Sequence, residues 1–552
     1  MLRGRPAGWL LVIFALGLAL AVEAPSGARA TTALDWRGCG RFECATLSVP
    51  LDYANASSRQ IELALVRQPA RDATARLGSL LVNPGGPGAS ANDFLRAWAP
   101  SLPREITNVF DIVSFDPRGV GASSPLDCHD NIQQIGALDP NPATSEDWRQ
   151  IGVVLKAFAD LCAQRGGDLL AHVGTRDVAR DMDAVRQALG EEKLTYFGYS
   201  YGTILGAVYA DLFPDRVRAI VLDGAADASL STDVYAEQQA RGFENALQRF
   251  LDDCRARQCI AANRDDPGAA IDELLRRARA APIAARAERP AGAGEVMLAI
   301  LNSLYSDRDW AGLARAIDRG LNGDGSDLIR LADLYLGRNS DGSYDNIMEM
   351  NNAVSCVDYV FAHDQAHYET LAKQLAVKAP RFGPFVAQGS FFCAFWTAPA
   401  SPLTTPLARG APPLLVIGTS GDPATPYSWA VSVSKQLASS TLLTNYAEGH
   451  TAYRTGSQCI DGAVQRYLIT LELPPPDTSC GDAAAHPVFV VSDPPVVSAT
   501  PQPAAEPTAA ATPEAQPSTG GGRDWALPIV VLGGVLAILV AGFVFSRSLR
   551  RP

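Results

Sequence analysis

Short apolar runs alternate with helical periodicity along the first part of the chain. Ala45–Pro50, Ile61–Val66, Ser79–Asn83 and Phe110–Phe115 read as strands. Thr175–Leu189 then sets Val178, Met182, Val185 and Leu189 at helical spacing. A strand at Leu194–Phe197, a helix at Tyr201–Leu212 and a strand at Val217–Leu222 follow. Short strands that are apolar throughout, separated by helices, predict a mostly parallel sheet covered on both faces. The rhythm stops near residue 229. From there to about 400 the pattern is helical, and Thr232–Cys254 places Ala236, Ala240, Phe243, Leu247 and Phe250 on one face. It resumes at Pro413–Gly418, with a helix near Ser428–Leu437 and a strand at Leu442–Tyr446. The expected body is an α/β sheet domain over 31–228 and 401–486, interrupted by a helical cap over 229–400.

The two ends have a different pattern. Arg3 and Arg5 precede an apolar run from Trp9 to Val22 and an Ala28-Arg29-Ala30 site, which predicts a signal peptide over 1–30. Residues 487–524 are dense in Pro, Ala and Thr and read as an extended stalk. Trp525–Phe545 carries no charge and, as a helix, would span about 30 Å, the thickness of a bilayer core. Arg547, Arg550 and Arg551 follow, which predicts a cytoplasmic tail over 546–552. The expected location is the cell membrane, with a single-pass C-terminal anchor and the catalytic domain extracellular. Gln516-Pro517-Ser518-Thr519-Gly520 is similar to the L-P-x-T-G signal of sortase substrates, with Gln in place of Leu. Sortase processing to the cell wall is therefore the alternative.

Of the 552 residues, 47% are hydrophobic and 19% charged, enough apolar content for a packed core. Lys and Arg number 47 against 59 Asp and Glu, for a formal charge of −12. That balance argues against a nucleic-acid partner, whose phosphates need a basic surface. Six histidines confine any histidine chemistry to a short roster.

Gly198-Tyr199-Ser200-Tyr201-Gly202 is the only G-x-S-x-G in the chain, and it lies between a predicted strand and a predicted helix. A nucleophile elbow sits at such a junction, with its serine lifted above the sheet. A serine needs a base, and the chain order in this architecture is serine, acid, histidine. His129 and His172 precede the serine, His363 and His367 fall in the cap, and His486 borders the stalk. His450 remains. Asp422, in Gly418–Pro423, is the expected acid, with Glu448 second. An oxyanion hole needs two backbone N–H groups. Tyr201 supplies one, and the loop Asn83–Gly88 the other, from Gly86 first and Gly85 second. No cofactor is expected, and no cluster of His and Cys has the spacing of a metal site.

These pieces, with Cys44–Tyr53, Asp116-Pro117-Arg118-Gly119 and Glu448-Gly449-His450, make a recognisable set. The chain resembles the secreted tripeptidyl aminopeptidases of actinobacteria and their proline iminopeptidase relatives, serine exopeptidases of the α/β-hydrolase fold. Iminopeptidases usually begin the oxyanion loop with His, where Pro84 stands here as in the tripeptidyl branch. The stalk and span depart from the usual secreted form. The resemblance implies an α/β-hydrolase fold with a helical cap, acting on peptides with a free N-terminus. It also implies that cap carboxylates hold the substrate ammonium, and Glu237, Glu244 and Asp358 are the candidates by position. A lipase or esterase on the same fold and a non-catalytic surface adhesion module are the competing functions.

Ten cysteines in an oxidising setting are expected to pair. Many connectivities are possible. Pairing each with its nearest neighbour in sequence gives Cys39–Cys44, Cys128–Cys162, Cys254–Cys259, Cys356–Cys393 and Cys459–Cys480, with no bridge between cap and core.

Overall fold

The computed structural model describes residues 34–128, 132–286 and 289–489. Within them one ten-stranded sheet is formed by β1 (Arg37–Cys39), β2 (Phe42–Pro50), β3 (Gln60–Gln68), β4 (Gly78–Asn83), β5 (Phe110–Phe115), β6 (Leu194–Tyr199), β7 (Val217–Asp223), β8 (Leu414–Gly421), β9 (Ser440–Glu448) and β10 (Ser479–Gly481). The spatial order is β1-β2-β3-β5-β4-β6-β7-β8-β9-β10. The first three strands are antiparallel, and β3 pairs antiparallel with β5. From β5 to β10 every pairing is parallel.

The uninterrupted apolar runs are the parallel strands. β4, β5, β6 and β8 are buried at every position, because helices cover both faces. Period-two alternation then sorts their side chains. Leu81, Ile220, Leu222 and Val416 enter one apolar core, and Leu80, Val82, Val221, Leu415 and Ile417 the other. The second core is closed by Leu95 of the helix Ala91–Trp98 and by Val464 and Leu468 of the helix Gln458–Thr470.

Between β7 and β8 the chain is helical, from Thr232–Arg257 through Ile347–Asp358 to Phe382–Ser390. The first of these buries Ala236, Ala240, Phe243, Leu247 and Phe250, the face its periodicity predicts. This insertion has no core to itself. Its Phe250, Leu313 and Leu371 belong to the same cluster as Ile204 and Leu205 of the helix Tyr201–Leu212. A polar clamp adds to the junction: Arg249 donates to Glu448, at the end of β9, at 2.6 Å and to the Pro487 carbonyl at 3.1 Å.

The five nearest-neighbour disulfides are all present. No described cysteine is free.

The expected location is corrected. Among the described residues no helix is long and apolar enough to cross a membrane. The longest of them, Thr232–Arg257, has 26 residues but carries many charges, Glu237, Arg241, Glu244 and Arg249 among them. No described element therefore supplies the single pass or the membrane contact. The leader at 1–30, the stalk beyond 489 with Gln516–Gly520, the run at 525–545 and the tail at 546–552 lie outside the described residues, as does His129.

Candidate active site

β6 delivers Ser200 at φ +53° and ψ −126°, directly before the helix Tyr201–Leu212. A positive φ costs a non-glycine residue about 1–3 kcal/mol and persists only where neighbours enforce it. Here the Ser200 N–H donates to the Asp223 carbonyl at 2.9 Å, and the Ser200 carbonyl accepts from the Thr203 N–H at 2.8 Å. The flanking glycines are steric requirements. A Cβ at Gly198 would lie 2.3 Å from the Gly202 oxygen, and one at Gly202 would lie 2.9 Å from the Asn83 oxygen. The hydroxyl thus stands at the positive end of a helix above the carboxyl edge of the sheet.

β9 leads into His450, whose N–H donates to the Tyr305 carbonyl in the insertion at 2.8 Å. Its Nδ1 lies 2.8 Å from each oxygen of Asp422, just past β8. The remaining partners of that carboxylate are donors: the N–H groups of Ala424, Thr425 and Thr451, and the Thr425 hydroxyl at 3.0 Å. Burial pushes the imidazole pKa down. The charge and hydrogen bond of Asp422 outweigh it, with help from Asp223, and the net shift is upward. Glu448, the alternative acid, faces the other way, onto Arg249 and, at 3.1 Å, His486.

In the loop after β4, the Gly85 N–H is occupied by Asn83 Oδ1 at 2.9 Å. A Cβ on Gly85 would meet the Tyr199 oxygen at 2.6 Å and Ser200 Cβ at 2.9 Å, so the loop lies directly against the elbow. Gly86 and Tyr201 both line the cavity above Ser200.

Residues 78–263 match the alpha/beta hydrolase fold family, and residues 379–480 match the TAP-like protein family. The serine protease Hip1 of Mycobacterium tuberculosis is 36% identical over 463 residues, covering 79% of this chain and 87% of the relative. Carboxylesterase B of the same organism is 36% identical over 531 residues, covering 87% and 99%. The tripeptidyl aminopeptidase of Streptomyces lividans is 32% identical over 493 residues, covering 84% and 89%. This chain belongs to the TAP-like α/β hydrolases. It is a serine hydrolase.

The TAP-like hydrolase holds a cavity of about 340 Å³ above Ser200. The insertion roofs it with Tyr235, Phe243, Tyr305 and Tyr359. Of the three carboxylates expected to bind an ammonium group, the structure brings only Asp358 to this cavity. Glu237 is taken up by Lys378 and Arg241. Glu244 accepts the N–H groups of Arg381 and Phe382 at 2.9 and 3.1 Å and pairs with the Arg381 guanidinium at 3.3 Å. Asp358 is 2% exposed and accepts from the N–H and the hydroxyl of Thr175. Burial pushes its pKa up, against those two bonds, to about 7.

Three residues of this hydrolase site escaped sequence reasoning. Thr425 braces Asp422, Tyr305 anchors the His450 backbone, and Asp223 ends β7 under the His450 loop. Asp223 alone left a signal, an acid closing an apolar strand at the sheet's carboxyl edge, where α/β sites form.

Proposed function

We propose that Ser200, His450 and Asp422 are the catalytic triad of an exopeptidase that cleaves short pieces from free peptide N-termini. The observation that carries this is the 2.8 Å pairing of His450 Nδ1 with a buried Asp422, on loops adjoining a strained elbow serine. Asp422 fixes the tautomer that leaves Nε2 as base. Ser200 Oγ attacks the scissile carbonyl, and its proton passes to Nε2. The N–H groups of Gly86 and Tyr201 receive the developing oxyanion. The imidazolium then protonates the departing amine, and water, deprotonated by the same histidine, releases the acyl group from Ser200.

The peptide reading is supported by the relatives named as a serine protease and a tripeptidyl aminopeptidase. The free N-terminus is supported by Asp358, the one carboxylate among the described residues lining this cavity. An arriving ammonium favours its ionised form and gives the pair a low-dielectric setting, where it is worth more than on a surface. Five disulfides support work in an oxidising compartment. The aliphatic part of the lining, with Leu298, Leu301 and Met348, also fits an acyl chain, and one relative is named a carboxylesterase.

Two assays test the reading together. A fluorophosphonate should label the wild type and not Ser200→Ala. Tripeptidyl amides should be cleaved, and N-acetylation should lower kcat/KM about 100-fold, the scale of a lost buried charge pair. Equal cleavage of free and acetylated peptides would refute the exopeptidase reading, and turnover confined to acyl esters would establish the esterase.

A further inference from the structure

Asp223 and Gly224, at the end of β7, touch all three parts of the site. β7 lies between β6, which carries the serine, and β8, which leads to the acid. The Asp223 carbonyl accepts the Ser200 N–H at 2.9 Å, and the Gly224 N–H donates to the Ile417 carbonyl of β8 at 3.1 Å. The Asp223 side chain is fully buried. It accepts the Ala452 N–H at 3.0 and 3.2 Å and the Tyr453 N–H at 2.8 Å, both in the loop that carries His450. Gly224, at φ +67°, lets that loop close down. A Cβ there would lie 3.0 Å from Thr451 Cγ2 and 3.3 Å from His450 Cε1.

We propose that Asp223 is a positioning residue: its carboxylate holds the His450 loop against the serine elbow and sets a second negative charge beside the imidazole. A buried carboxylate is a costly way to strap down two amides, because its desolvation is uncompensated unless a positive charge is near. On the triad reading proposed above, on which this inference rests, the reaction supplies that charge each time His450 takes the serine proton. Asp422 bonds the imidazolium directly. Asp223 acts on it through space, in a setting where little solvent screens the field.

The titratable groups facing Asp223 are His450 and Tyr453 from the loop it straps, Asp422 from the loop after β8, and Tyr199 from β6. Burial pushes both phenols above their ordinary range, so they stay neutral in any practical assay. Burial also raises Asp223, to about 7, against the pull of the two amides and His450.

The test is Asp223→Asn in the full chain. Its fold is checked by thermal melting, and its active fraction is counted by fluorophosphonate titration. The substitution keeps the shape and removes the charge. The acid limb of kcat/KM should move to lower pH by several tenths of a unit, because the imidazole loses a charge that favoured its protonation. Plateau kcat should fall about tenfold with KM within about threefold, the signature of an interaction made mainly in the transition state. A purely structural strap would lower the active fraction and leave the limb in place. A second measurement needs no variant. Amide exchange in the wild type at pH 8, corrected for intrinsic rates, should show Ala452 and Tyr453 protected, as donors to Asp223. An unmoved limb in folded Asp223→Asn overturns the proposal, and so does exchange of Ala452 and Tyr453 at the rate of an unbonded loop in the wild type.

Discussion

His450 carries two opposing influences, and their balance sets where this hydrolase works. Burial disfavours the imidazolium and the Asp422 carboxylate favours it, and the carboxylate prevails. On the proposed mechanism His450 must be neutral, so activity should fall as pH drops through a value above the ordinary 6.5 of histidine. A pH–rate profile with its acid limb centred below 6 would contradict this. Asp422→Asn should cost about 10⁴-fold in kcat, because the amide permits the wrong tautomer. Thr425→Val removes one donor to the acid and should cost about tenfold, the kinetic equivalent of one hydrogen bond. Glu448→Gln, which leaves the His450–Asp422 pair untouched, should do far less than either. Asp358 is a different kind of group. Its pKa is raised by the fold, so the native state holds a proton that the unfolded chain gives up at about 3.9. Its contribution to stability is fully present below that value and is lost as pH rises toward 7. Urea melts at pH 5 and pH 7.5 should show a smaller difference for Asp358→Asn than for the wild type, and an unchanged difference would show that burial does not hold that proton.

At the scale of elements, the glycines of the elbow are where local sequence and global packing agree most tightly. Gly198→Ala would drive a methyl to 2.3 Å from a backbone oxygen of the following helix, an atom that cannot move without moving the elbow. It should destabilise by roughly 2–4 kcal/mol and abolish labelling of Ser200, readable as a fall in Tm together with loss of probe signal. The strands and helices of the body were legible because each is apolar at the period of its own geometry: β5 was read from Phe110 to Phe115 and the helix after the serine from Tyr201 to Leu212, as they stand. The edge strands β1 and β10 were not. Each has three residues with at most one buried, too few to show a period. Chain order singled out Asp422 and His450, which the structure pairs at 2.8 Å, but not Thr425 and Asp223, whose contacts depend on loops that meet only in space. Glu237 and Glu244 illustrate the same limit. They share a helix with the cavity-lining Tyr235 and Phe243, yet their carboxylates end in Lys378 and Arg381.

At the scale of the whole molecule, the described residues show no seam between insertion and sheet domain in their apolar packing. Phe250, Leu313 and Leu371 share a cluster with Ile204 and Leu205, so the helices above the cavity complete the core as well as covering the serine. Replacing residues 229–400 with a short linker should therefore yield an insoluble body, because the apolar body residues that share this cluster with the insertion would be exposed. A soluble, folded deletion product with a cooperative melt would show the opposite. The disulfides bear on how such a core is assembled. No bridge crosses another, none encloses another, and the widest spans 37 residues. Each pair can therefore close as soon as its own short stretch of chain has emerged, in the order of synthesis, with few competing thiols exposed at any moment. A chain wired this way has little need to reshuffle its bridges, and its oxidative refolding should keep pace with oxidant supply whether or not a disulfide isomerase is added.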